Sequence, residues 1–292
     1  MTQGIGSLAD LFRDHRRSFE ANRYVYAVIS RRSKGLSVGI NLNPDKACNF
    51  DCVYCQVDRR TPLAVREVDL MQLRKELEAI IPLAKSGAIF TLERFRHTPP
   101  NLRHWNDIAF SGDGEPTAAP EFLDAVRLVV DLKRQHQLVG VKIVVLTNAT
   151  LLHRPQVQRA LALLDQNEGE IWAKLDAGTE AYYHQIERTR VPFQRVLDNL
   201  KLAARARPIV IQSLFLRWHG QPPSQQEIDA YCQRLCEIVE AGGRIQLVQV
   251  YTVAREPAEA AACPLEDTEL DALADTVRRR TGLPVEAYYA GH

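Results

Sequence analysis

Residues 36–55, "LSVGINLNPDKACNFDCVYC", run from a strand-like stretch straight into a loop with three cysteines in eight positions: Cys48, Cys52 and Cys55. Four close thiols would describe a closed structural metal site, and two a redox pair; three describe a metal centre with one position left open. The stretch also poses the question that decides the fold: do other strands of this chain end in polar, chemistry-bearing residues?

They do. "WNDIAF" (105–110) is followed by "SGDGEPT" (111–117), and "VKIVVL" (141–146) by Thr147 and Asn148. Lys174 and Asp176, two apart, share a face near the end of "EIWAKLD", and Gln212 and Ser213 interrupt "PIVIQSLFL". Tyr251 and Thr252 follow "RIQLVQV". Between these strands the apolar residues take helical spacing: Leu70, Leu73, Leu77, Ile81; Phe122, Val126, Val129, Leu132; Val157, Leu161, Leu164; Phe193, Val196, Leu197, Leu200. A fifth helix opens at "SQQE", where Ser224 and Glu227 are expected to form a capping box, and ends at Gly242-Gly243. Leu270, Leu273 and Val277 mark a last helix closed by Gly282.

Alternating strands and helices imply parallel strands joined by right-handed crossovers. About six such units, without G-x-G-x-x-G after the first strand, point to an α/β fold of the partial (β/α)6 TIM-type barrel kind. The pair "YVYAVIS" and "LSVGINL", joined by "RRSKG", adds an N-terminal β-hairpin extension. The expected organisation is one domain over 1–292, with an N-terminal extension 1–35, a core of about 36–255 and a C-terminal helix and strand in 256–292. In such barrels chemistry gathers at the carboxyl ends of the strands, where the fold would bring the six polar endings together.

Composition adds bounds. The 292 residues are 46% hydrophobic and 25% charged with a formal net charge of +1, so no global field draws the protein to nucleic acid or anionic membrane. Arg13, Arg16, Arg17, Arg31, Arg32 and Lys34 make the amino-terminal part locally basic, which reads as a solvated surface. No apolar run reaches the roughly 20 residues of a membrane span. The opening "MTQGIGSLADLFRDHRR" lacks the apolar core of a secretory signal, and the uneven cysteine spacing does not suit a disulfide framework. A reducing cytoplasm is the expected location, without a membrane partner.

Three cysteine ligands leave one iron of a [4Fe–4S] cluster without a protein thiolate, and Cys48-x3-Cys52-x2-Cys55 keeps three sulfurs on one loop able to hold three corners of a cube. Zinc competes, but a structural zinc site takes four ligands, and no histidine lies between His15 and His97. In "SGDGEPT" the glycines around Asp113 let backbone carbonyls approach a ligand's ammonium group, and Glu115 adds a carboxylate; the bland reading is a Gly-Pro turn before a helix.

With Cys48, Cys52 and Cys55, aromatic Tyr54 before the third cysteine, and "SGDGEPT" after the next strand, the chain resembles the radical S-adenosylmethionine superfamily. The resemblance implies a site-differentiated [4Fe–4S] cluster whose open iron takes the amino and carboxylate groups of S-adenosylmethionine. It further implies reductive cleavage to a 5′-deoxyadenosyl radical that takes hydrogen from a substrate. Position by position, it places Tyr54 beside the adenine and Gly112, Asp113, Gly114 and Glu115 at the methionine amino group. Lys174 and Asp176 would hold ribose or carboxylate, Gln212 would hold the carboxylate, and Asn148 and Tyr251 would line the cofactor. Asp113-Gly114 stands where the family has a double glycine, and Gln212 is neutral where an arginine is common.

Within that superfamily, "GINLNPDKACNFDCVYCQVD", "FSGDGEPT" and "VYTVARE" resemble a group related to the wyosine-forming tRNA enzymes. Those enzymes hold a second cluster on cysteines ahead of the radical loop; here none precedes Cys48, so their pyruvate chemistry is not carried over. The implied partners are an unidentified substrate (small metabolite, tRNA base or partner protein) and an electron donor such as flavodoxin or ferredoxin. An electron-carrying iron–sulfur protein and a zinc-stabilised scaffold are the other readings.

Cys232, Cys236 and Cys263 could in principle hold a second cluster; the other reading puts Cys232 in an expected buried stripe, Ile228, Cys232, Leu235 and Val239, as a small hydrophobe, and Cys263, in the loop after the last central strand, has no compact partner motif. The aromatic-basic stretch 91–105 precedes a strand and is expected at the opposite end of the barrel, as a flap or partner surface.

Overall fold

The structure, a computed structural model, describes residue 19 and residues 22–57 and 67–290; Arg13, Arg16 and Arg17 lie outside the described residues. Its main sheet has eight strands: β1 (Val25–Ser30), β2 (Gly35–Ile40), β3 (Trp105–Phe110), β4 (Lys142–Thr147), β5 (Gly169–Lys174), β6 (Ile209–Leu214), β8 (Ile245–Tyr251) and β10 (Val285–Tyr288). The β1–β2 pair is antiparallel and every later pair parallel. The sheet curls into a partial barrel, in which β2 to β8 supply the six expected units and β10 adds a seventh parallel strand. Two short strands, β7 (Leu216–Trp218) and β9 (Ala262–Pro264), form a separate antiparallel ribbon.

Helices cover the outer face: α1 (Leu70–Ser86), α2 (Phe122–Gln135), α3 (Pro155–Asp165), α4 (Glu180–Glu187), α5 (Phe193–Ala206), α6 (Gln225–Glu240) and α7 (Asp267–Thr281). Each strand sends alternate residues to that face. Phe110, Ile143, Val145, Ile211, Val248 and Val250 there are fully buried, and together with the helical stripes they form the dominant core. At about 25 cal/mol per Å² this apolar layer is the chief stabilising term. On α1, Glu76 accepts the backbone N–H groups of Arg23, Tyr24 and Val25 and so ties the start of β1 to the first helix.

Two local expectations are corrected. Ser224 caps α6 by accepting from Glu227 N at 3.2 Å, but the Glu227 carboxylate does not return to the cap. It accepts instead from Gly178 N and Thr179 Oγ1, fastening α6 to the turn after β5. A reciprocal capping box forms at α7, between Glu266 and Glu269. In the α6 stripe, Cys232 and Leu235 are buried, whereas Val239 is 42% exposed. The stretch 91–105 lies where expected: the His104 carbonyl accepts from Leu36 N beside the starts of β2 and β3, away from the cysteine loop.

Candidate active site

The cysteine loop leaves β2 through a run of Asx turns. Asn43 N donates to Asn41 Oδ1 (3.1 Å), and Ala47 N donates to Asp45 Oδ1 (3.0 Å), geometry that short amide and carboxylate side chains favour. The "SGDGEPT" segment packs directly on this run. A Cβ on Gly112 would lie 2.4 Å from Asn41 Oδ1, and one on Gly114 only 2.0 Å from the Ala47 carbonyl oxygen, so no larger residue fits either position. Asp113 completes the contact by accepting from Asn41 Nδ2 at 2.7 Å while its N–H donates to Asn41 Oδ1.

Beyond Ala47 the loop is held from two sides. Asn49 Nδ2 donates to Thr150 Oγ1 and its Oδ1 accepts from Asn148 Nδ2, both at 2.7 Å, which links it to the end of β4. Asp51 N and Val53 N donate to the carbonyls of Glu187 and Ile186, at 3.1 and 2.9 Å. These carbonyls end α4, so the loop satisfies acceptors that a helix terminus leaves open. The sequence reading missed α4, although Thr179 followed by apolar Tyr182, Tyr183 and Ile186 signals it; Thr179 is the N-cap and accepts from Tyr182 N. Cys55 N donates back to Cys52 O, and the Cys55 carbonyl accepts from Ala258 N at 2.8 Å.

Above this loop opens a cavity of about 270 Å³ at the carboxyl ends of the strands. Cys48, Cys52, Gly112, Gly114, Lys174 and Gln212 are among its walls, so the cysteine loop and three further strand ends meet around one space. Asn148, Glu115 and Tyr251 line it too. Cys55 and Asp113 line the adjoining cavity together with Tyr54. Thr252 and Ser213, by contrast, serve the fold: Thr252 Oγ1 donates to the Phe215 carbonyl, and Ser213 hydrogen-bonds the Tyr231 hydroxyl on α6.

Tyr54, Lys174 and Asp176 form one buried unit. Lys174 Nζ donates to Tyr54 Oη at 2.6 Å and to Asp176 Oδ2 at 2.9 Å, and sits 4.4 Å from the Tyr54 ring centroid. The Tyr54 hydroxyl donates to Asp176, whose other oxygen accepts from Leu214 N. Burial first and then the Asp176 charge push the Tyr54 phenol well up, which keeps it a neutral donor. Glu187 stands nearby with Oε2 unpartnered among the described residues; burial and then Asp176 hold its carboxyl well above the usual range. Burial raises the Cys52 thiol as well.

Glu115 lines the cavity and is held by hydrogen bonds from its own turn and from the end of β4. Its Oε1 accepts from Thr117 and from Thr147 Oγ1 (2.6 Å), and its Oε2 accepts from Asn148 N (2.7 Å). The carboxylate thus ties the segment after β3 to the end of β4, next to Gly112 and Gly114 in the cavity wall. Gln212 Nε2 donates to Gln249 Oε1 at 2.7 Å, inside the barrel.

The site thus defines an α/β half-barrel with three thiols on the loop after its first parallel strand. The family model described as "Radical SAM superfamily" matches residues 42–222, and the chain belongs to that superfamily, whose members use a [4Fe–4S] cluster and S-adenosylmethionine. A "UPF0026 protein" of Helicobacter pylori is 30% identical over 139 residues, covering 47% of this chain and 38% of the relative. Among solved structures, Streptococcus suis SuiB bound to S-adenosylmethionine superposes with a TM-score of 0.58 at 15% identity, over 88% of this chain and 52% of that one. TYW1 with a lysine-pyruvate adduct bound gives 0.51 at 13% identity, over 94% and 82%. At these identities the two structures share the fold. The chain spans about two fifths of the Helicobacter relative and half of SuiB.

The donor set fits the family's cluster. Among the described residues no three His, Cys, Asp or Glu side chains converge to hold a single ion, as a mononuclear zinc site requires. A cubane instead takes its ligands at separate corners, and Cys48, Cys52 and Cys55 offer three thiols around the cavity mouth, none of them in a disulfide. No helix among the described residues is long and apolar enough to cross a membrane.

Proposed function

We propose that this protein is a radical S-adenosylmethionine enzyme that abstracts hydrogen from a substrate bound in the half-barrel. Cys48, Cys52 and Cys55 would hold three irons of the cluster and leave one without a protein thiolate. When bound, the reduced cluster and S-adenosylmethionine supply one-electron cleavage of a carbon–sulfur bond, giving methionine and a 5′-deoxyadenosyl radical that takes a hydrogen atom. Gly112, Asp113 and Gly114 would offer backbone carbonyls to the methionine ammonium from a segment that its two glycines let pack against the cysteine loop. Glu115 is a positioning residue that keeps Asn148 and the 112–114 segment in place. Lys174 and Asp176 fix the Tyr54 ring, so that an adenine meets one preset surface. Asn148, Gln212 and Tyr251 line the same space, and their polar groups orient the rest of the cofactor. Val53, Tyr54, Ile186, Leu214, Leu216 and Val253 form an apolar cluster behind the loop that excludes water from the reacting centre.

The observation that carries this reading is the shared wall: Cys48 and Cys52 line one cavity with Gly112, Gly114 and Lys174. An electron carrier would leave that polar cavity without a use. The reading implies a reducing compartment such as the cytoplasm and a low-potential donor of the flavodoxin or ferredoxin kind. Its substrate is a small metabolite, a tRNA base or a partner protein. Anaerobic reconstitution, addition of S-adenosylmethionine and dithionite, and assay for 5′-deoxyadenosine test it. Product is expected from wild type and none from Cys52→Ala. No product from a protein carrying a full complement of four irons and four sulfides overturns it.

A further inference from the structure

The β1–β2 turn carries Arg31, Arg32 and Lys34, which the sequence alone assigns to solvated surface. The structure uses two of them across the open side of the half-barrel. Arg31 Nη1 donates to the Tyr289 carbonyl, and Lys34 pairs with Glu286 on β10 at 3.0 Å, so the turn is laced to the far edge of the sheet. Arg32, between them, turns inward. Its guanidinium lies 4.8 Å from the Tyr251 ring centroid and lines the mouth cavity, the cavity beside Cys55 and a third cavity of about 250 Å³ lower in the lumen. Arg32 makes no hydrogen bond or ion pair among the described residues. With its Cζ over the Tyr251 ring and no anionic partner among the described residues, the guanidinium keeps N–H donors available, and such a fork receives a carboxylate or phosphate in two parallel bonds.

The other polar groups of the lumen set the remaining demand. Asp107 lines the mouth cavity and the lower one, as do Val144 and Trp172. Its carboxylate accepts from Ser37 Oγ and does not pair with Arg32. Lower in the lumen, Glu286 is taken by Lys34, and Glu170 by Lys142 and the Trp172 indole.

We propose that the lumen binds a substrate bearing a carboxylate or phosphate, gripped by Arg32 on its Tyr251 platform, with an N–H or O–H donor turned toward Asp107. This rests on the radical reading of the mouth, because it places the substrate in the space that the cysteine loop overlooks. The competing occupant of Arg32 is the carboxylate of S-adenosylmethionine itself, for which Arg255 and Lys174 also line the mouth.

The test uses the full, cluster-reconstituted chain in wild-type, Arg32→Gln and Arg32→Lys forms. Thermal unfolding is followed against inorganic phosphate and against acetate, with chloride at matched ionic strength. A saturable stabilisation by at least one anion is expected in wild type, weakened tenfold or more in affinity by Arg32→Gln and less by Arg32→Lys. A response to phosphate alone assigns a phosphorylated substrate; a response to acetate assigns a carboxylate. S-adenosylmethionine affinity, read from the change in the cluster's electron paramagnetic resonance signal, is expected to stay within twofold in Arg32→Gln. Equal anion responses in wild type and Arg32→Gln, or none in wild type, overturn the proposal. So does a tenfold loss of S-adenosylmethionine affinity, which would hand Arg32 to the cofactor. If Arg32→Gln does not fold, Arg32→Lys decides: unchanged anion affinity there removes the two-point grip. The anion experiment needs no reductive cleavage, so its failure and that of the 5′-deoxyadenosine assay are separate results.

Discussion

The two faces of the curled sheet are built from alternate residues of the same strands and share almost no chemistry. Outward, Phe110, Ile143, Val145, Ile211 and Val250 disappear under helices. Inward, Ser37, Asp107, Lys174, Gln212 and Gln249 stand around a small apolar patch of Ala109, Val144, Trp172 and Val210. A closed eight-stranded barrel fills its interior with layers of branched apolar side chains and is packed through. Here the lumen stays open, and the apolar residues that would plug it are replaced by hydrogen-bonding pairs. The difference divides the work within each strand: one face holds the fold together, and the other is free to bind.

That division is sharpest at adjacent positions. Ile211 faces the helices and is fully buried, while Gln212 faces the lumen and bonds Gln249. Ile211→Ala should cost about 2–5 kcal/mol of unfolding free energy, the usual range for deleting a packed isoleucine side chain. Gln212→Leu should cost about 1 kcal/mol or less, because it removes one hydrogen bond beside a cavity that water can enter. Urea unfolding of both variants checks the contrast, and equal losses would break it.

Much of this architecture was legible because period 2 along a strand and period 3.6 along a helix leave plain marks. "WNDIAF" coincides with β3, and the helical spacings found α1, α2, α3 and α5. The polar strand endings located the mouth at the right end of the sheet, and the Lys174–Asp176 contact followed from two-residue spacing. What stayed hidden depends on partners far away in the chain. Nothing local announces that Glu115 accepts from Thr147 and Asn148, some 32 residues on. The Glu227 carboxylate left its own helix for Gly178 and Thr179. α4 is only eight residues long, and its importance lies in the two carbonyls it offers the cysteine loop. Arg32 read as surface because nothing local says that the β1–β2 turn reaches β10.

Asp107 sharpens the comparison by titration. Burial raises its carboxyl to about 6, against the lowering effect of the Ser37 hydroxyl. A carboxyl with a folded pKa above its unfolded value binds its proton more tightly in the native state, so stability falls as pH rises between the two values. The window runs from pH 3.8 to about 6, and the loss amounts to roughly 3 kcal/mol. Asp107→Asn should flatten that part of the stability–pH curve. An unchanged slope in the variant would mean that the carboxylate is already hydrated in the open lumen.

The smallest effect is expected where the lumen meets solvent. Lys142 begins β4 and pairs with Glu170 at 2.5 Å, with side-chain exposures of 51% and 15%. Removing Lys142 does not strand its partner, because Glu170 also accepts from the Trp172 indole at 3.0 Å. Lys142→Met keeps the apolar stem against the rim and deletes only the charge, so the change should stay within about 0.5 kcal/mol, as for other half-exposed pairs. Raising the salt concentration should reduce even that difference. A loss above about 2 kcal/mol, insensitive to salt, would show that the rim charges belong to the structural layer and that the two faces are less separate than their side chains indicate.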